Sequence, residues 1–312
     1  MARAGAFVLV ALGGAGLAAG CGGEAARGPT DAGSFGGPAD LSGGRLPDAT
    51  PSDCTDAPGD GGVCLRLVEA TIIDEQGAPL GGVLTSVCST GDCYFGMSGS
   101  DGRVSVAVGA RVPIDAFTLV LHGRPDRAGY FVRLPPIAGG VARFPKPLRL
   151  VNLPASGPEV AVDGTAQTLV SNEVTLEVPK GTTLSPSVED FIDAQHHPQF
   201  RSRRVPPALA PAFLDGQAPS ANALYAVSPY EADLQGDVSG VRLSFANFSS
   251  APPGTAFDLL GLGSLAHPTG PDPGVFAAVG TAHVRLDGTR IDVDPQTRLD
   301  FLTWFALLPK GH

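Results

Sequence analysis

Leu65-Arg66-Leu67-Val68-Glu69-Ala70-Thr71-Ile72-Ile73, followed by Asp74-Glu75-Gln76-Gly77-Ala78-Pro79-Leu80, is the stretch that decides the fold class. A run rich in β-branched and aliphatic residues, with charges interleaved, predicts a half-buried strand, and the Gly and Pro behind it predict a turn. Working outward, Val83–Cys88, Cys93–Ser98, Val104–Val108, Ala116–Leu121 and Tyr130–Leu134 repeat the pattern. Turn signals such as Ser100-Asp101-Gly102 separate them. Short strands at this spacing predict a small β-sandwich over residues 63–150.

A second β-rich region covers residues 158–312. Val174-Thr175-Leu176-Glu177-Val178 alternates and ends in Pro179-Lys180-Gly181-Thr182. Later come Val241–Phe245, Pro252–Leu260, Val275–Val284 and Asp287–Val293. Trp304 lies in the apolar run Phe301-Leu302-Thr303-Trp304-Phe305-Ala306-Leu307-Leu308, a core setting. Residues 184–228 differ in character and read as an inserted loop. Ser187–Ala194 is expected to make one or two helical turns capped by Ser187. Pro206, Pro207 and Pro211 favour an extended path.

Asp74-Glu75-Gln76-Gly77-Ala78-Pro79-Leu80-Gly81-Gly82-Val83 and Ser100-Asp101-Gly102-Arg103-Val104 resemble the D-x-x-G-x-P-L-x-G-V and T-D-x-x-G turns of carboxypeptidase-regulatory-like, transthyretin-type Ig-like domains. That resemblance implies a non-catalytic spacer or adhesion sandwich. Pro252-Pro253-Gly254-Thr255, the hairpin Val279-Gly280-Thr281-Ala282-His283-Val284-Arg285-Leu286-Asp287-Gly288 and the late Trp304 are similar, in that order, to a loosely ZU5-like module of bacterial surface proteins.

The N-terminus carries one positive charge at Arg3, an apolar core Phe7–Leu12 and a Gly/Ala-rich end. This is the three-part layout of a signal peptide, residues 1–20, and glycines dilute it too much for a retained span. Leu17-Ala18-Ala19-Gly20-Cys21 resembles the lipobox of bacterial lipoproteins. The resemblance implies lipidation at Cys21 and, with Gly22 rather than aspartate next, an outer-membrane address. Residues 21–62 are rich in Gly, Pro, Ala, Asp and Ser, and read as a disordered tether. About 40 such residues have a mean reach on the order of 35 Å. The expected architecture is mostly β: two β-sandwich-like domains behind a lipidated, disordered N-terminal tether.

Charge and cysteines fit export. The chain has 21 basic and 31 acidic residues, and losing Arg3 with the leader leaves 20 against 31, a formal charge of −11. An acidic body is repelled by nucleic acid, so that partner class is excluded. Besides Cys21, four cysteines remain, Cys54, Cys64, Cys88 and Cys93. Outside the cytoplasm they are expected as two disulfides, with three connectivities open and the local pairs Cys54–Cys64 and Cys88–Cys93 favoured. Spacings of ten and five residues lack the CxxC knuckle of a zinc site.

No motif for catalysis or a cofactor emerges. Gly96-Met97-Ser98-Gly99-Ser100 is not GxSxG and sits in a strand and turn. His196-His197 lacks the HExxH spacing, and Asp287, Asp292 and Asp294 fall short of a calcium loop, so no metal site is expected. Arg201, Arg203 and Arg204 form a basic cluster that either pairs with nearby acids such as Glu189, Asp190 or Asp193 or contacts an acidic partner. The sequence thus reads as a non-enzymatic envelope lipoprotein acting as a surface adhesion, binding or scaffold module, held to the membrane by lipid and meeting an envelope protein or polysaccharide. The alternative is a carbohydrate-binding or hydrolytic accessory protein of the envelope, for which one Trp and four Tyr provide few aromatic platforms.

Overall fold

The deciding stretch becomes the central strand of its sheet. In the computed structural model, which describes residues 62–88, 93–113, 118–122, 126–185, 198–211, 223–265, 267 and 270–310, strand β1 (Gly62–Ile73) pairs antiparallel with β4 (Arg103–Pro113) and in parallel with β9 (Val141–Arg143) and β10 (Leu148–Arg149). A short β8 (Ile137–Ala138) extends the sheet beyond β9. The facing sheet runs β3 (Cys93–Met97), β2 (Leu84–Cys88), β5 (Thr118–Leu121) and β7 (Tyr130–Arg133). A two-residue pair, β6 (Arg127–Ala128) with β11 (Val151–Asn152), lies beside it.

The turn after β1 shows why its sequence is Asp-x-x-Gly. The Asp74 side chain accepts from the backbone N–H of Gln76 at 3.0 Å and of Ala78 at 2.8 Å, and Gly77 adopts a left-handed φ of 84°. Gly102 is needed for closeness as well as for its φ of 73°, because a Cβ there would lie 2.4 Å from the Ile72 carbonyl oxygen.

The rest of the chain builds one nine-stranded sheet in the order β12 (Gln167–Ser171), β13 (Val174–Val178), β18 (Arg242–Ala246), β21 (Arg290–Val293), β20 (Phe276–Val284), β19 (Ala256–Leu262), β22 (Phe305–Pro309), β16 (Ala223–Ser228) and β15 (Arg201–Val205). A separate small pair joins β14 (Thr183–Ser185) to β17 (Asp233–Gln235). The large sheet curls into a nearly closed barrel-like form. Its two end strands meet through side chains: Ser202 N–H donates to Ser171 Oγ at 2.8 Å, Ser202 Oγ donates to the Ser171 carbonyl at 2.5 Å, and Asn172 Nδ2 donates to the Ser202 carbonyl at 2.6 Å. Asn172, at φ 47°, also makes the β12–β13 turn, a conformation asparagine tolerates well.

One finding departs from the sequence reading. The segment 184–228, expected as an inserted loop, supplies β15 and β16, which are integral strands of the large sheet. The helical turns expected at 187–194 fall outside the described residues, and Pro207–Leu209 forms a single 3-10 turn. β16 also lacks the alternation of a half-buried strand, since Ala223 through Val227 are all buried. The reason is two-sided packing. Ala223, Tyr225 and Val227 belong to the core inside the curled sheet, with Phe245, Phe257, Phe305 and Leu307. Leu224 and Ala226 belong to the other core, with Leu65, Val106 and Leu119 of the N-terminal sheets.

Trp304 is the centre of that shared core. It is fully buried, its Nε1 donates to the Gly129 carbonyl at 2.9 Å, and its ring meets Tyr130 edge-on with centroids 5.6 Å apart. Tyr230 adds a second link, its hydroxyl accepting from the Phe131 N–H at 3.3 Å. The two sheet systems are therefore packed as one body, and all described residues fall in one compact unit. Trp304→Ala is expected to cost about 3–5 kcal/mol, because it opens a large cavity and orphans the Gly129 carbonyl. In urea the variant should unfold at a lower midpoint by circular dichroism, with both sheet systems lost in one transition; separate transitions would show that the two halves are uncoupled.

Candidate functional site

The arginines singled out in the sequence are held on β15, Arg201 and Arg203 on the face toward the N-terminal sheets and Arg204 on the opposite face. Arg203 reaches Glu75 in the turn after β1 and donates to the Asn152 carbonyl at 3.1 Å. Glu75, whose side chain is only 8% exposed, also accepts from the Asn152 N–H at 2.7 Å. Arg204 lies 3.4 Å from Glu173 and stacks over the Phe248 ring at 5.7 Å. Arg201 is buried and donates twice to Gln199 Oε1, at 2.6 and 3.2 Å. Burial works against its charge, and Asp126 partly restores it. Glu189, Asp190 and Asp193, the acids expected to pair with these arginines, lie outside the described residues, as do His196, His197, Cys21 and Cys54. Within the described residues the acids that Arg203 and Arg204 meet are Glu75 and Glu173.

Among the cysteines, Cys88 and Cys93 are directly opposite across β2 and β3 and form a disulfide. Cys64 is disulfide-bonded as well. His122 shares a 2.7 Å hydrogen bond with Ser86 Oγ. His267 is buried flat against Phe301, with ring centroids 3.9 Å apart, and lies 3.1 Å from Asp233; burial pushes its pKa down against the pull of that carboxylate.

The side of the large sheet that the N-terminal sheets do not cover carries a groove of about 610 Å³. Its floor is the outward phase of four neighbouring strands. Glu177 on β13 is registered with Arg242 on β18, Ser244 on β18 with Asp292 on β21, and Asp292 with His283 on β20. Arg285, just past β20, grips Asp292 in a two-pronged fork, Nε and Nη2 each donating at 2.9 Å. Beside the floor, in the same outward phase, Arg290 ties three strands together, bonding Ser244 Oγ at 3.0 Å and Thr175 Oγ1 at 2.9 Å. The rim is apolar: Leu286, 90% exposed at the hairpin tip, and Pro295.

At one end of the groove Asp294 binds His283 and Thr281. Its Oδ1 lies 2.6 Å from His283 Nδ1, and its Oδ2 accepts from Thr281 Oγ1. Burial raises the Asp294 carboxyl, but these bonds outweigh it and hold the group below the usual carboxylate range. The three aspartates weighed for calcium are thus each engaged by protein donors: Asp292 by Arg285, Asp294 by His283 and Thr281, and Asp287 by the Thr289 N–H at 2.9 Å, which shapes the hairpin. The sequence reading missed Glu177, Arg242, His283 and Arg285 as a group because strand register, not chain proximity, brings them together. The available signal was the polar phase of the alternation in 174–178, 242–246, 283–285 and 290–293.

Two measurements test these contacts. Arg203→Ala leaves a buried Glu75 carboxylate uncompensated and is expected to cost about 3 kcal/mol in urea unfolding, whereas Arg203→Met with Glu75→Gln should cost clearly less. For Asp294, a folded pKa below the unfolded value of about 3.9 gives stability that is present above pH 4 and lost as pH falls through the folded pKa. Asp294→Asn should therefore flatten the decline in melting temperature between about pH 4 and pH 2, and an unchanged slope would mean the bonds at Asp294 contribute nothing.

No protein-family model, curated protein or solved structure matches the chain.

Proposed function

We propose that the protein is a non-catalytic cell-envelope lipoprotein, anchored at Cys21 in the outer membrane, whose β-rich body acts as a surface binding or scaffold module. The leader and the Leu17-Ala18-Ala19-Gly20-Cys21 junction support the anchor. Each buried CH₂ contributes about 0.8 kcal/mol, so a thiol carrying two or more chains holds stably without help from an acidic body. The tether of residues 21–62 gives reach, and the finer division into domains at 63–150 and 158–312 belongs to the same reading, the first with sandwich-like packing and the second built on the barrel-like sheet.

The observation that carries the proposal is the asymmetry of the large sheet. One outer wall is spent on packing around Trp304, and the opposite wall presents a structured, solvent-facing groove. A rigid body with one committed face and one open face suits presentation of a binding surface at the end of a tether. The Arg201, Arg203 and Arg204 cluster contributes rigidity, through Glu75 and Glu173, and the groove is the face offered to a partner.

Cys21→Ser should leave the circular dichroism spectrum and melting temperature of the body unchanged while moving the protein from the outer-membrane pellet to the soluble fraction. A variant that still sediments with outer membrane would overturn the anchor reading.

A further inference from the structure

We infer that the groove over β13, β18, β21 and β20 binds a neutral, hydroxyl-rich ligand, a saccharide chain, by laying hydroxyls onto preformed charge pairs. This rests on the reading of the open wall as a binding face. The first argument is charge. Glu177, Asp292 and Asp294 face Arg242 and Arg285 across a short distance of sheet, so the floor is close to neutral and does not select an ion of either sign. An incoming ion would also have to compete with the Arg285–Asp292 fork, whose two 2.9 Å bonds are already aligned.

The second argument is hydrogen-bond capacity. A carboxylate has about four lone-pair sites and a guanidinium five N–H donors, so a fork that uses two of each leaves acceptors and donors side by side. A hydroxyl both donates and accepts, and adjacent hydroxyls on a ring match a row of alternating donors and acceptors without breaking any pair. His283 adds to the row: its Nδ1 is engaged by the Asp294 carboxylate at 2.6 Å, which leaves Nε2 as the ring nitrogen to meet a ligand hydroxyl. Ser244, between Arg242 and Asp292, supplies a further hydroxyl.

The third argument is the rim. Leu286 and Pro295 set apolar surface beside a polar floor. A sugar ring has that division, with C–H faces and hydroxyl edges, and a groove of about 610 Å³ lies within the range of small-molecule clefts. The lining residues include no aromatic platform, so binding is expected to be weak and to depend on several rings bound in a row.

The experiment uses the full lipidated chain in detergent micelles and saturation-transfer NMR with three probes: a neutral glucose hexasaccharide, an anionic oligogalacturonate and a cationic chitosan oligomer. The neutral hexasaccharide should give transfer that falls at least fivefold in Asp292→Ala and in Leu286→Ala. Leu286 is at an exposed hairpin tip, so its variant keeps the test valid if Asp292→Ala is poorly folded. Absence of transfer to the neutral probe, preferential transfer to either charged probe, or transfer unaffected by both variants would overturn the inference. None of those results bears on the Cys21→Ser fractionation, so failure of the saccharide assignment and failure of the envelope reading are told apart.

Discussion

The structure depends on a strand buried on both faces. A sheet with one face to water can alternate polar and apolar residues, but β16 and β22 have no face to water over most of their length. Tyr225, Phe305 and Leu307 fill the inside of the curled sheet, while Leu224, Ala226, Trp304 and Ala306 fill the space between that sheet and the N-terminal sheets. Apolar surface removed from water stabilises by about 25 cal/mol for each Å², and this second interface is what holds the two sheet systems in one form. The polar requirements are met in the same place. The Trp304 indole N–H finds the Gly129 carbonyl, and the Tyr130 hydroxyl donates to the Arg149 carbonyl at 2.9 Å.

That double burial also explains which parts of the fold were legible. Strands with one wet face, such as β1 and β13, announce themselves by alternation: β13 spans the Val174–Val178 read from the sequence, and β1 ends at Ile73 as read but starts three residues earlier, at Gly62. The run Phe301–Leu308 was readable as core but not as a strand between two cores, because continuous apolarity has no period. The segment 184–228 was unreadable for another reason. Its prolines and arginines look like a loop, yet Arg201–Val205 pairs residue for residue with Leu224–Ser228, and the long sequence between them hides the pairing. Arg203 and Glu75 are 128 residues apart, a contact that only the packed structure can specify.

The two outer walls of the large sheet use charge differently. On the covered wall, charge is scarce and enclosed: Glu75 holds Arg203 and the Asn152 N–H where water is largely excluded. On the open wall, charges are abundant and matched, in rows set by register across β13, β18, β21 and β20. Exposed pairs of this kind add little to stability, typically under about 1 kcal/mol each. Their order is better understood as a surface pattern than as a source of cohesion, and it was recoverable from sequence only once the register was known.

The meeting of β12 and β15 through Ser171, Ser202 and Asn172 has a consequence for self-association. A sheet of nine strands left open would display two long rows of unpaired backbone groups, each a template for another copy of the chain. Here hydroxyl and amide side chains occupy three of those groups, the Ser202 N–H and the Ser171 and Ser202 carbonyls, and bring the ends together without a continuous backbone ladder. The closure acts as a stopper against edge-to-edge polymerisation, made from small polar residues that leave no mark in a hydrophobicity profile.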